Sequence, residues 1–77
     1  MAQSAPLYQR IAAELRDQIR TGKLKAGDRL PTEQDLMSIH DVSRNTVRLA
    51  LGMLQNEGMV TATPGRGTIV RERIMAD

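Results

Sequence analysis

The sequence predicts a small, mostly α-helical domain of three helices that ends in a β-hairpin, and three observations lead to this fold class. Apolar residues recur at helical spacing in three consecutive segments, which is the pattern of amphipathic helices around one core. Only Asp41 and Val42 separate the second segment from the third. Two short alternating segments follow, joined by a Gly-Arg-Gly sequence. Helices joined by a short turn and followed by a hairpin predict a winged helix-turn-helix.

Length and composition limit the core and the chemistry of this chain. Its 77 residues are enough for one domain, and a domain this small buries only about 60% of its unfolded surface. Tyr8 is the only aromatic residue, which argues against nucleic-acid binding by several stacked rings. Without cysteine and with His40 as the single histidine, the sequence predicts no disulfide and no metal site. The first residues contain no basic or apolar run, and this predicts a soluble, cytoplasmic protein without membrane contact.

The first helix is predicted to begin at Pro6, since proline suits the first turn of a helix. Its core-facing stripe is Leu7, Ile11, Leu15 and Ile19. Gly22 is predicted to end it, as the residue after the C-cap. Residues 1–5 are predicted to be a disordered N-terminus, and the loop that follows the helix is predicted to contain a very short strand near Arg29 and Leu30.

The second helix is predicted to begin after Thr32, whose side chain can cap the helix while Asp35 returns the hydrogen bond. Its predicted apolar face consists of Leu36, Met37 and Ile39, and His40-Asp41 ends it.

The third helix is predicted over residues 43–57, with Ser43 as its N-cap. Its apolar stripe is Val47, Ala50, Leu51 and Leu54. Residues 59–62 and 68–70 alternate and are predicted to be strands, with the wing tip at residues 64–67. The domain therefore covers residues 6–70, and residues 71–77 are predicted to be a linker or tail.

A basic face on the third helix is the principal candidate site. At about 100° per residue, Arg44 and Arg48 lie within roughly 40° of each other, away from the apolar stripe and beside Asn45. Arginine can form two hydrogen bonds with guanine, and asparagine two with adenine, in the major groove. The positive end of the helix points the same way. This pattern favours DNA binding, although a helix face that is merely solvated also has its charged residues separated from the apolar stripe.

Arg66, between Gly65 and Gly67, is the second candidate. Glycines permit positive φ and close backbone approach, so the arginine can project from a narrow turn into a minor groove. Alone, the pattern is also that of a hairpin turn that requires glycines; after a helix-turn-helix it favours a DNA-binding wing. Gly52, in the middle of the third helix, either permits close approach of a phosphate backbone or is merely tolerated there.

Nothing in the sequence predicts catalysis. The acidic residues Glu14, Asp17, Asp35 and Glu57 are scattered over predicted exposed faces. There is no Ser/His/Asp order, no phosphate-binding glycine-rich loop and no pair of carboxylates at catalytic spacing. We therefore expect a binding domain without a cofactor rather than an enzyme.

Several motifs occur in one order along residues 6–70. They are Pro6-Leu7-Tyr8, Gly22, Gly27-Asp28-Arg29-Leu30-Pro31-Thr32-Glu33, Leu36, Val42-Ser43-Arg44-Asn45-Thr46-Val47-Arg48, Glu57-Gly58 and Gly65-Arg66-Gly67-Thr68. Together they resemble the DNA-binding domain of the GntR family of bacterial transcription regulators. The first and last motifs look most like the HutC-type branch of that family.

The resemblance implies that two copies bind a palindromic operator in double-stranded DNA, with the third helix in the major groove and the wing tip in the minor groove. The DNA contacts that it implies are Tyr8, Thr32, Glu33, Gln34, Ser43, Arg44, Asn45, Thr46, Arg48, Gly65, Arg66 and Gly67. Glu33 would touch bases or orient Arg44. Two positions depart from the family pattern: Gln34 stands where arginine is common, and Asn45 replaces a commoner threonine or proline.

The resemblance also implies a further domain, C-terminal to this one, that binds a small-molecule effector and dimerises. We therefore expect the chain to be an excised DNA-binding domain rather than a naturally short relative, acting in a bacterial repressor. A small-molecule effector would then be a partner only through that further domain. The alternative from another class is a winged-helix protein-interaction module that does not bind DNA.

Overall fold

In a computed structural model of the chain, three helices and a two-stranded sheet follow one another in the predicted order. They are α1 (Leu7–Arg20), α2 (Glu33–His40), α3 (Arg44–Asn56), β1 (Val60–Thr63) and β2 (Gly67–Val70). The structure describes residues 6–72, so the predicted disordered N-terminus (1–5) and residues 73–77 of the predicted tail lie outside the described residues. The fold is the predicted winged helix-turn-helix, and none of its helices between residues 6 and 72 is long and apolar enough to cross a membrane.

Side chains fix the starts of α2 and α3, as predicted. Thr32 Oγ1 accepts a hydrogen bond from the Asp35 backbone N–H at 3.0 Å, and Asp35 Oδ2 accepts one from the Thr32 N–H at 3.3 Å. Ser43 Oγ accepts a hydrogen bond from the Thr46 N–H at 3.2 Å. Between the helices, Asp41 adopts a left-handed conformation with φ 55°, which short polar side chains tolerate better than most. The turn of the helix-turn-helix is therefore determined locally.

The core lies mainly between α1 and α3 and is closed by α2 and the hairpin. Its buried members are Ile11, Ala12, Leu15, Leu30, Leu36, Val47, Ala50, Leu51, Leu54, Met59, Val60 and Val70. Two residues of the predicted apolar stripes are instead exposed: Leu7 at 53% and Ile39 at 63%. Leu7 occupies the first position of α1, and Pro6 is the N-cap rather than part of the first turn.

The hairpin is attached to the segment that precedes α2. Arg29 forms an antiparallel bridge with Ile69, which confirms the very short strand predicted there. The Leu30 N–H donates to the Thr68 carbonyl at 2.8 Å, and the Val70 N–H donates to the Asp28 carbonyl at 2.8 Å. These bonds fix the wing relative to the beginning of α2.

A bidentate ion pair joins α1 to the end of α3. Arg16 Nε donates to Glu57 Oε1 at 2.8 Å, and Arg16 Nη2 donates to Oε2 at 2.7 Å. The hydrogen bond from Arg16 lowers the pKa of the Glu57 carboxyl, and burial opposes this effect. Glu57 is the C-cap of α3, where the helix dipole disfavours a negative charge. Arg16 therefore offsets an unfavourable position for Glu57.

Arg16→Gln is expected to lower the free energy of unfolding at pH 7 by up to about 1 kcal/mol, the upper range for an exposed pair. Because the pKa of Glu57 is lowered on folding, the pair stabilises the protein above the unfolded pKa of about 4.3. This stabilisation is lost as the pH falls through the lower, folded pKa. Urea unfolding of parent and variant at pH 7 and near pH 3 should show the difference shrinking.

Arg20→Gln is the matched control for this comparison, because Arg20 lies on the same helix and forms no ion pair with a described residue. Its effect should be the same at both pH values. A cost of Arg16→Gln that persists undiminished near pH 3 would contradict a role for the Glu57 charge.

Candidate nucleic-acid interface

Glu33 brings the beginnings of α2 and α3 together. Arg48 Nε donates a hydrogen bond to Glu33 Oε2 at 3.2 Å, and Arg44 Nε lies 3.7 Å from Glu33 Oε1. One carboxylate, on the first residue of α2, thus faces both arginines of the predicted basic face. The sequence-based interpretation had Glu33 either touching bases or orienting Arg44; its hydrogen bond with Arg48 was not foreseen.

The two arginines keep most of their hydrogen-bonding capacity free for another molecule. The side chains of Arg44 and Arg48 are 56% and 64% exposed. A guanidinium has five N–H donors, and the bond to Glu33 uses only the Nε–H of Arg48. Four donors on its two terminal nitrogens remain, which is the set needed for a bidentate contact with guanine. Glu33 restrains Arg48 without occupying these donors.

The helix starts beside these arginines provide further donors. Thr32 and Ser43 use oxygen lone pairs to cap α2 and α3, and a hydroxyl retains its hydrogen when it accepts a bond. Ser43 Oγ and Thr46 Oγ1 lie 3.1 Å apart, so one of them donates to the other. The exposed Gln34 and Asn45 follow in the first turns. The positive ends of both helices favour an anion such as phosphate.

The wing tip has the geometry that its glycines predict. Gly65 and Gly67 have φ values of 82° and 89°, a region that other residues rarely adopt. The Arg66 N–H donates to the Thr63 carbonyl at 3.0 Å and closes the turn. Arg66, in this turn, is exposed.

A groove lies between the wing and the start of α2, and Thr32 and Glu33 form one wall while residues 62–68 form the other. Arg29 also lines this groove, and a Cβ placed on Gly67 would lie 3.6 Å from Cδ of Arg29. Sequence reasoning placed Arg29 in a strand but did not mark it as a site residue. The sequence signal that could have identified Arg29 as a site residue was its position directly before Leu30-Pro31-Thr32.

Eleven of the twelve predicted contact residues therefore occur at the start of α2, at the start of α3 or at the wing tip. Tyr8 is the exception: it lies on α1, is half-buried against the core, and its hydroxyl accepts a hydrogen bond from Gln9 Nε2 at 3.3 Å. No bond or groove among residues 6–72 joins Tyr8 to the basic face. Its role as a DNA contact stays a prediction from the family resemblance.

The same range contains no group of His, Cys, Asp or Glu that could hold a metal ion. The sequence did not single out Leu49, which is 48% exposed on α3. Its angular position, away from the apolar stripe, was the signal that identifies it as an outward-facing residue.

A helix-turn-helix with an arginine-bearing third helix and a basic wing defines a class of DNA-binding domains. The chain matches the family described as bacterial regulatory proteins, gntR family, over residues 7–70. It therefore belongs to the GntR family, as the sequence motifs indicated.

Proteins of known function and structure are similar to this chain. The Escherichia coli K12 mannosyl-D-glycerate transport/metabolism system repressor MngR is 48% identical over 67 residues, which are 87% of this chain and 28% of MngR. The E. coli K12 regulator GgaR is 43% identical over 67 residues, 87% of this chain and 27% of GgaR. The DNA-binding domain of AraR, solved in complex with operator ORR3, has a TM-score of 0.87 and 34% identity, covering 91% of this chain and 84% of that one. The chain spans less than a third of the length of these two regulators.

Proposed function

We propose that this chain binds double-stranded DNA sequence-specifically, as the operator-recognition domain of a bacterial transcription repressor. The observation that carries the proposal is the alignment of Arg44 and Arg48 by one carboxylate, that of Glu33, on the face that also bears the wing groove. Such an arrangement presents the forked donors of two exposed arginine side chains at the beginning of α3. Binding and orientation, rather than catalysis, are what these residues can perform.

The interface divides into groups that read bases and groups that hold phosphates. Arg44, Asn45 and Arg48 enter the major groove and form base-edge contacts. Phosphate contacts come from the capping hydroxyls of Thr32 and Ser43, together with Gln34 and Thr46. Arg66, carried between Gly65 and Gly67, enters the adjacent minor groove.

Similarity to a repressor and to an operator-bound domain supports this assignment. Two copies would bind one palindromic operator, each on one half-site, because operator symmetry mirrors that of a dimeric regulator. An effector would act only through a further domain of the regulator. The activity belongs in the bacterial cytoplasm, at the nucleoid when the protein is bound.

Selection from a randomised duplex pool is expected to recover an inverted repeat. Sedimentation of the chain alone should show a monomer, since only three large apolar side chains, Leu7, Ile39 and Leu49, are exposed among residues 6–72. Sedimentation with the selected duplex should show two copies bound. Affinity should be lower than for a tethered dimer, which gains from a high effective concentration of its second head.

The outcome of this selection distinguishes the two classes of function. Failure to enrich any duplex at low salt would contradict DNA binding and favour a winged-helix protein-interaction module. Enrichment of a single, asymmetric site bound by one copy would retain DNA binding and contradict the palindromic arrangement.

A further inference from the structure

Leu49 is a large apolar side chain on the exposed side of α3. It is 48% exposed and does not belong to the residues packed against the core. The buried stripe of α3 consists of Val47, Ala50, Leu51 and Leu54. At about 100° per residue, Leu49 points about 150° away from the centre of that stripe. The fold therefore gives no packing reason for leucine at this position.

Leu49 shares its side of α3 with one proposed DNA contact, Asn45, and with a glycine, Gly52. Asn45 lies four residues earlier, about 40° away around the helix and one turn closer to its start. Gly52 lies three residues later, and a Cβ placed on it would meet no heavy atom within 4 Å. The fold does not require glycine there. Its missing side chain leaves one side of Leu49 uncovered and lets another molecule approach this turn closely.

The polar and basic surroundings of Leu49 indicate which molecule this is. Asn45, on the same side of α3, and Arg48, the residue directly before Leu49, are exposed. These side chains suit a polyanion rather than an apolar protein surface. The other exposed large apolar residues, Leu7 and Ile39, belong to α1 and α2. In the major groove, the only apolar group on a base edge is the C5 methyl of thymine.

We propose that Leu49 is a specificity-determining residue that contacts the C5 methyl group of a thymine in the major groove. This inference rests on the proposed function and adds a base preference to it. Leucine forms no hydrogen bond, so it favours thymine over cytosine or uracil only through the methyl group. Asn45 supplies hydrogen bonds on the same side of α3, and Arg44 and Arg48 supply them about 140° and 100° around the helix from Leu49.

Deoxyuridine isolates the methyl group, because it differs from thymidine at C5 alone. In the selected operator, each thymine of one half-site is replaced in turn by deoxyuridine, and the dissociation constant is measured by fluorescence anisotropy. The parent chain should lose about fourfold in affinity at one position, the amount expected for removing one buried methyl-sized group. Leu49→Ala should bind the thymine and deoxyuridine operators equally, whereas Leu49→Met should keep a preference for thymine.

Leu7→Ala is the matched control, since Leu7 has the same side chain and a similar exposure of 53% on α1. It should retain the whole preference for thymine at that position. Circular dichroism of each variant checks that α3 remains helical.

The outcomes separate this inference from the function on which it rests. A parent chain that selects an operator but is indifferent to every thymine methyl would overturn the role of Leu49. So would a Leu49→Ala variant that keeps the parent's preference for thymine over deoxyuridine. Failure of the parent to select any operator would instead overturn the proposed DNA binding.

Discussion

Arg44→Ala and Arg48→Ala are each expected to weaken specific operator binding by about 1–3 kcal/mol for each bound copy. Both arginine side chains are more than half exposed and lie in the first turns of α3, where a major groove can reach them. Alanine removes the paired donors and leaves the guanine acceptors to water. The variant that loses a base contact should also tolerate substitution of one base pair, which dissociation constants for a set of singly substituted operators would reveal.

The fold should survive these substitutions, because neither arginine belongs to the core. Arg20→Ala provides a matched control, since Arg20 is exposed at the end of α1. It should leave the affinity for the operator and the order of base preferences nearly unchanged. The assignment of α3 as the recognition helix would be wrong if both the Arg44 and the Arg48 variants bound the selected operator as well as the parent does.

Glu33 gives this prediction a further consequence for the two arginines. Its carboxylate accepts the hydrogen bond of Arg48 Nε but is farther from Arg44, at 3.7 Å. Arg48 is therefore the more restrained of the two before DNA arrives, and a restrained side chain loses less conformational freedom on binding. For this reason we expect Arg48 to contribute more than Arg44 to base discrimination.

The elements of the fold were predictable because their signals are local. A capping box requires Thr32 and Asp35 three residues apart, and the left-handed glycines after α1 and α3 follow the last helical turn. The apolar period gave the direction of each buried face. It did not show how far the core extends along each helix. For this reason Leu7 and Ile39 were assigned to core-facing stripes, although both are exposed in the structure.

The pairings within the site were less predictable, because they depend on residues distant in sequence. Glu33 and Arg48 are 15 residues apart, and Arg16 and Glu57 are 41 apart. Helical spacing says nothing about which face of one helix meets which residue of another. The position of Arg29 beside Gly67 likewise follows from the pairing of two strands from separate segments. Residue types therefore indicated which residues belong to the candidate interface, whereas the tertiary structure defined the contacts among them.

Arg66→Ala is expected to weaken binding broadly across related operators while leaving the preference among major-groove bases intact. Arg66 is exposed in the turn between Gly65 and Gly67 and is not part of α3. The minor groove distinguishes base pairs poorly but has a strong negative potential that depends on its width. Removing one cation from it should reduce the slope of log affinity against log salt concentration by about 0.9 for each bound copy.

Affinities at several salt concentrations, for the parent, Arg66→Ala and Arg66→Lys, separate the charge of Arg66 from its shape. Lysine keeps the charge, so the Arg66→Lys variant should retain the salt slope of the parent. Any loss of affinity in this variant would measure the contribution of the planar guanidinium, which lysine lacks. The Thr63–Arg66 backbone bond that closes the turn is available to all three proteins, so the wing should keep its conformation. An unchanged salt slope for Arg66→Ala, together with an altered base preference, would mean that the wing reads base edges and that its proposed electrostatic role is wrong.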